Sequence, residues 1–255
     1  RTRMFPLRDE NPTVRFPVAT IAIIALTALA WVGIQGLGTQ GMLLRSLCYY
    51  GLIPGDLFGL HPRGASMDIG GFACQLDRTM PALTLITHMF MHGGWFHIIG
   101  NLWFLWVFGD NVEDAMGPVR FVAFYLLCGL GAAGAQIATD TSSFVPMVGA
   151  SGAIGGVMGA YARFYPRAHV HTLIFLGFYV TTVAVPALFM LGYWFLLQLL
   201  AGLPAYGSAG GGVAFFAHIG GFLTGIVLSW PLSRADYLAQ HRALGERRTS
   251  RHRMF

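Results

Sequence analysis

Val148-Gly149-Ala150-Ser151-Gly152-Ala153-Ile154-Gly155-Gly156-Val157-Met158-Gly159-Ala160-Tyr161 holds five glycines, one serine and no charge. A stretch this apolar and this rich in small residues reads as a helix whose backbone touches its neighbours inside a membrane. It is short against the roughly 20 residues of a free-standing span. Its polar flank is therefore expected inside a bundle, where protein rather than lipid satisfies it. Five further apolar segments lie around it, at about 16–36, 95–108, 121–138, 185–203 and 213–230. The run 172–185 is also apolar and ends at Pro186. It reads as a re-entrant or interfacial piece, or as the first part of a long fifth helix.

Composition agrees with a membrane protein. Of 255 residues, 55% are hydrophobic and 11% charged, and the mean hydropathy is +0.59. A soluble domain has about 25% charged residues. Disorder, a coiled coil and an ordinary soluble enzyme are excluded on that ground. Three cysteines, Cys48, Cys74 and Cys128, are too few for a disulfide scaffold.

The net charge is +5, and every one of the 16 basic residues is Arg. Their placement argues against nucleic acid as a partner. They flank the apolar runs, which is the pattern of membrane orientation. With the N-terminus in the cytoplasm and six spans, 13 arginines fall inside and three, Arg45, Arg63 and Arg78, outside. Both termini are thus expected inside. The expected organisation is a cytoplasmic N-terminal segment (1–15), a six-helix membrane domain (16–231) and a basic cytoplasmic tail (232–255). Segment one is too long for a signal peptide and ends without a clear cleavage site. The outer loop, 37–92, is too long for a bare connection and is expected to carry structure of its own. It holds Cys48 and Cys74, for which a disulfide and two free thiols are equally open.

Polar groups within spans are expensive and point to function. Three clusters stand at the outer ends of their segments: His97 with Asn101, Ser151, and His218. A serine hydroxyl needs a base within hydrogen-bond reach to act as nucleophile, and an imidazole is suited to that role near neutral pH. His97 and Asn101 are four residues apart and share a helix face, where their donors can meet an oxyanion. Small residues, Gly152, Gly155, Gly156 and Gly159 on one segment and Gly221 and Gly225 on the other, allow Ser151 and His218 to approach. No intramembrane carboxylate is placed to orient His218, so the pattern reads as a dyad rather than a triad. Taken singly, a serine or histidine in a glycine-rich span is more often packing or interhelical glue. The conjunction of all four at one depth is what packing alone does not explain. His88 and His92 have the i, i+4 spacing of metal ligands, but the H-E-x-x-H glutamate and any nearby carboxylate are missing, so no metal or cofactor is expected.

The stretches His92-Gly93-Gly94-Trp95-Phe96-His97-Ile98-Ile99-Gly100-Asn101, Gly149-Ala150-Ser151-Gly152 and Ala217-His218-Ile219-Gly220-Gly221 with Gly225 resemble the motifs of the rhomboid family of intramembrane serine proteases. Pro6 to Thr13 and Val112-Glu113-Asp114-Ala115-Met116-Gly117 are similar to segments of bacterial members. The resemblance covers about residues 6–230 and implies a six-helix bundle in a bacterial cell membrane. It implies Ser151 as nucleophile and His218 as base. It also implies an oxyanion site of His97, Asn101 and the Ser151 backbone N–H. Gly149 is expected to leave room for substrate, and the substrates to be transmembrane segments of other proteins. Two positions depart from the family pattern. Leu83-Thr84 stands where a Trp-Arg pair is frequent, and Gly155 stands where some members stack a Tyr on the histidine. The competing readings are an inactive relative that binds membrane helices and a transporter, which predicts polar groups at several depths and internal repeats.

Overall fold

The computed structural model describes residues 3–76, 80–176, 179–205 and 214–252. Arg1, Arg78 and Arg253, used for orientation, and Val213, the expected start of the sixth segment, lie outside these residues. The chain is mostly helical. Its helices are α1 (Val18–Gly33), α2 (Gln40–Tyr50), α3 (Pro54–Leu57), α4 (Thr84–Thr87), α5 (Trp95–Met116), α6 (Pro118–Ile137), α7 (Ser151–Phe164), α8 (Ala187–Ala205), α9 (Phe215–Leu232) and α10 (Ala235–His252). Among the described residues, α6 and α9 are long and apolar enough to cross a membrane, and α1 and residues 187–203 of α8 are shorter apolar helices.

The expectation of an all-α fold is corrected by five strands. β1 (Arg3–Asp9), β4 (His169–Leu176) and β5 (Tyr179–Pro186) form an antiparallel sheet in the order β1-β4-β5. The 172–185 run is therefore not the first part of a long fifth helix; its described residues pair as antiparallel strands, from His169 with Pro186 to Leu176 with Tyr179. Its Val, Thr, Ile and Tyr content suits a pleated surface better than a helix. The N-terminal segment is the edge strand of the same sheet, and the register shifts between Pro6 and Arg8. Proline donates no ladder hydrogen bond, so an edge with an irregularity is where it fits. β2 (Ser66–Ile69) and β3 (Phe72–Gln75) form a second, two-stranded sheet in the outer loop.

α5 continues eight residues past the expected end at Phe108, because its acidic residues are used rather than solvated. Glu113 accepts from the backbone N–H of Ala19 and Thr20 at 2.9 and 2.7 Å. A carboxylate there satisfies the orphan donors that open α1. Asp114 accepts from the Val14 and Arg15 N–H groups and from the Arg15 guanidinium. The charges that make this stretch look like a loop staple the lead-in to α1.

α7 sits at the centre of the bundle. Every residue from Gly152 to Ala162 is buried. Leu105, Phe108, Phe121, Phe124, Tyr125 and Phe222 belong to the core around it. Large apolar side chains elsewhere face outward, among them Leu29 on α1, Val119 on α6, Phe189 on α8 and Val227 on α9. An enclosed helix has no lipid face, which accounts for the shortness of the 14-residue α7.

The outer loop has its own core. Cys48 and Cys74 form a disulfide, and Ile53, Leu76 and Phe144 pack with it. Leu52 and Met147 exchange backbone hydrogen bonds at 3.0 and 2.8 Å, and the Gly55 N–H donates to the Ser143 carbonyl. The loop thus grips the segment that leads into α7.

Candidate active site

Ser151 is the first residue of α7. Its position is fixed from the loop side, because the Gly149 N–H donates to the His88 carbonyl at 2.9 Å. The His88 ring in turn bonds the Thr84 carbonyl through Nδ1 at 2.7 Å, and the Thr84 hydroxyl donates to the Pro81 carbonyl. Thr84, the position that departs from the family pattern, is thus a buried link in this anchor. Gly149 has φ +128°, a conformation L side chains rarely adopt. A Cβ there would lie 2.7 Å from His97 Nε2 and 3.5 Å from Ser151 Oγ. Glycine is needed twice over, for the backbone and for the space.

His218 stands in the first turn of α9, and its Nε2 lies 2.8 Å from Ser151 Oγ. The approach depends on glycines. A Cβ at Gly221 would land on the Gly152 carbonyl, and one at Gly225 on the Gly156 carbonyl. Gly155 is explained in the same way. A Cβ there would come 3.0 Å from the His218 carbonyl oxygen, so α7 and α9 approach closely at this point as well.

The orientation of His218 comes from α8 instead. Gln198 Oε1 lies 2.8 Å from His218 Nδ1. An amide oxygen only accepts, so Nδ1 carries the ring proton and Nε2 turns its lone pair to Ser151. The Trp194 ring lies 5.7 Å from the His218 ring and 6.2 Å from Phe222. Gln198 and Trp194 were not singled out from the sequence. The signal was present: Gln198 is the one amide within 187–205, and polar residues within spans are functional candidates. The first turn of α9 is also held by Gln136 of α6, whose Oε1 accepts from the Ala217 N–H at 3.3 Å.

His97 and Asn101 lie on the first turns of α5. The Gly93 N–H donates to His97 Nδ1 at 3.2 Å. Nδ1 is therefore an acceptor, the neutral ring carries its proton on Nε2, and that nitrogen lies beside Gly149. Asn101 is 8% exposed, and its Nδ2 is buried without a hydrogen-bond partner. A buried unsatisfied donor is costly, so this amide is a candidate donor to a ligand. The His92 backbone is fastened by Gln35, which accepts from its N–H and donates to its carbonyl, both at 2.8 Å. Burial, with nearby His97 adding to it, lowers the His92 pKa to about 3, and burial lowers that of His88 to about 4. Both rings are neutral, but only His88 anchors the loop through its ring; neither His92 ring nitrogen has a hydrogen-bond partner. Among the described residues no three His, Cys, Asp or Glu side chains converge as a metal site.

Ser151, His218 and His97 thus come together at one end of the bundle, with Asn101 one helical turn after His97 on α5 and its Nδ2 without a partner. A rhomboid domain family model matches residues 81–235, which contain all four. The chain is 26% identical over 181 residues to the mitochondrial Rhomboid protein 1 of Saccharomyces cerevisiae, covering 67% of this chain and 47% of that protein. It is 31% identical over 157 residues to the chloroplastic Rhomboid-like protein 11 of Arabidopsis thaliana, covering 58% and 52%. It is 27% identical over 168 residues to Rhomboid-like protease 5 of Toxoplasma gondii, covering 64% and 18%. The chain spans about half the length, or less, of these relatives. The match runs through the helices that carry the site and the loop that anchors it, and on that evidence this membrane protein belongs to the rhomboid family.

Proposed function

We propose that this protein is an intramembrane serine endopeptidase that cuts transmembrane segments of other membrane proteins with a Ser151–His218 dyad. The observation that carries this reading is the 2.8 Å contact of Ser151 Oγ with an imidazole nitrogen whose tautomer is set from its far side. Ser151 Oγ attacks the scissile carbonyl carbon while its proton passes to His218 Nε2. The carbonyl oxygen becomes an oxyanion that accepts from His97 Nε2–H, Asn101 Nδ2 and the Ser151 N–H. Collapse of this intermediate breaks the C–N bond, and the imidazolium protonates the leaving amine. Water, deprotonated by the same imidazole, then hydrolyses the acyl-enzyme. Gln198 is neutral, so it fixes the tautomer without providing the counter-charge that a triad carboxylate gives.

The bilayer is crossed six times, by α1, α5, α6, α7, α8 and α9. Residues 1–15 and 232–255 lie on the arginine-rich side, the cytoplasmic side of a plasma membrane. The active site then opens near the outer face, and Gly149 leaves room there for an unwound substrate strand. One feature weighs against a transporter, namely a bundle centre filled by α7. An inactive relative is disfavoured because both dyad residues are present.

The reading is tested by treating the detergent-solubilised protein with a serine-directed fluorophosphonate. One adduct per chain, on Ser151 and absent from Ser151→Ala, is the expected result. No labelling of an intact, folded protein counts against it.

Two further outcomes separate the supporting roles. Asn101→Ala is expected to lower kcat on a membrane-anchored reporter by about 10²-fold, near the lower end of the range for a lost oxyanion donor because two donors remain. Its melting temperature should be unchanged or higher, since a buried unsatisfied group is removed. Gln198→Leu frees the His218 tautomer and is expected to lower kcat by about 10–10²-fold with KM nearly constant, well short of the roughly 10⁴ lost when a triad carboxylate becomes an amide. Gln198→Glu keeps an acceptor at Nδ1 and should retain most of the activity. Equal losses in both variants would make Gln198 a packing residue.

A further inference from the structure

At the opposite end of the bundle, a cavity of about 210 Å³ lies between the end of α7 and α10, lined by Arg163, Phe164, Tyr165, Leu238, His241 and Arg242. Three of these six residues are basic and none is acidic. Arg163 and Arg242 are exposed at its rim. His241 is 8% exposed, packs against the Tyr165 ring at 4.6 Å, and its Nε2 is buried with no hydrogen-bond partner. The catalytic reading makes no use of this pocket.

We propose that this pocket binds the phosphate of an anionic lipid headgroup, with Arg163, Arg242 and His241 Nε2–H as donors. A buried basic nitrogen without a partner, beside two arginines and no carboxylate in the lining, is complementary to a phosphate. The depth is that of the headgroups. Arg163 lies in the last turn of α7, with its guanidinium 5.1 Å from the Trp230 ring near the end of apolar α9. Exposed Trp at the end of an apolar helix marks the membrane interface, and basic pockets between helices at that level suit lipid headgroups. Only the assignment to the arginine-rich leaflet rests on the orientation proposed above.

The groups around His241 set the protonation. Asp114 and the Pro12 backbone act on the ring, both favouring its charged form. Asp114 is already engaged by Arg15 and the Val14 and Arg15 N–H groups. Burial lowers the pKa of His241, while Asp114 and the Pro12 carbonyl oppose the shift. A phosphate favours the imidazolium and gains Nε2–H, against the repulsion of Arg163 and Arg242. Binding thus takes up a proton and strengthens as pH falls.

The test is titration of the full chain, in neutral detergent and in the Ser151→Ala background, with short-chain phosphatidylglycerol. Phosphatidylcholine and inorganic phosphate are the parallel arms, and native mass spectrometry gives the stoichiometry. One phosphatidylglycerol per chain is expected, with phosphatidylcholine weaker. Binding should weaken about tenfold or more in Arg163→Gln/Arg242→Gln. His241→Gln, which keeps a neutral donor, should bind with little pH dependence. Inorganic phosphate binding as tightly as the lipid would keep the phosphate site and overturn its lipid source. No saturable binding, or binding unchanged in the double arginine variant, overturns the proposal. Arg242→Gln alone, at an exposed position, keeps the outcome readable if the double variant melts early. No arm depends on proteolysis, so the proposal and the catalytic reading fail separately.

Discussion

Ser151→Ala and His218→Ala are each expected to reduce cleavage of a membrane-anchored reporter to background, a loss on the order of 10⁶ in kcat if the dyad behaves like the nucleophile and base of soluble serine proteases. The argument is geometric. Ser151 Oγ has His218 Nε2 within hydrogen-bond reach, and that base has its far nitrogen committed to Gln198. Residues acting as one unit are not additive, so the double variant should be no worse than either single one. Both variants should remain folded, because neither side chain fills the core around α7. The check is kcat beside a thermal melt for each protein. Retained turnover in Ser151→Ala would remove the nucleophile from the account.

Gly221→Val is expected to have the second largest effect, and it acts through the backbone. A Cβ at residue 221 would overlap the Gly152 carbonyl, one residue after Ser151. Backbone cannot turn aside as a flexible side chain can, so α9 must move away from α7, and His218 moves with it. A misplacement of about 1 Å at a reacting pair costs on the order of 10²-fold, and loss of the close α7–α9 contact also removes packing that membrane helices depend on. Activity and melting temperature should fall together. Gly192→Ala is the control, since a Cβ at Gly192 meets nothing within 4 Å, and it should be neutral in both measurements. A stable, active Gly221→Val protein would contradict the packing described for α7 and α9.

The parts of the fold that follow from local rules were legible in the sequence. Apolar runs marked α1, α6, α8 and α9, and glycine spacing marked the faces on which α7 and α9 meet. The polar residues His97, Asn101, Ser151 and His218 stood out because each is expensive in its setting. What escaped depends on partners distant in sequence. Residues 172–185 are apolar and β-branched, and a short run of that kind does not distinguish a buried strand from a helix. Its pairing with Arg3–Asp9 is a contact across more than 160 residues. The end of α5 was misread because Glu113 and Asp114 resemble solvated charges until their bonds to Ala19, Thr20, Val14 and Arg15 are seen. Gln198 was missed because its meaning lies in the ring it faces, not in its neighbours along α8. The Cys48–Cys74 pairing was open for the same reason, since spacing does not give connectivity.

The most direct test of the account is cleavage by the purified protein in lipid vesicles of a single-span reporter, with both product masses determined. The account predicts two fragments whose masses sum to the reporter plus one water. The cut should fall near the outer end of the span, and neither fragment should form with Ser151→Ala. Fragments formed equally by Ser151→Ala, or an intact reporter with a protein that is folded and correctly inserted, would contradict it.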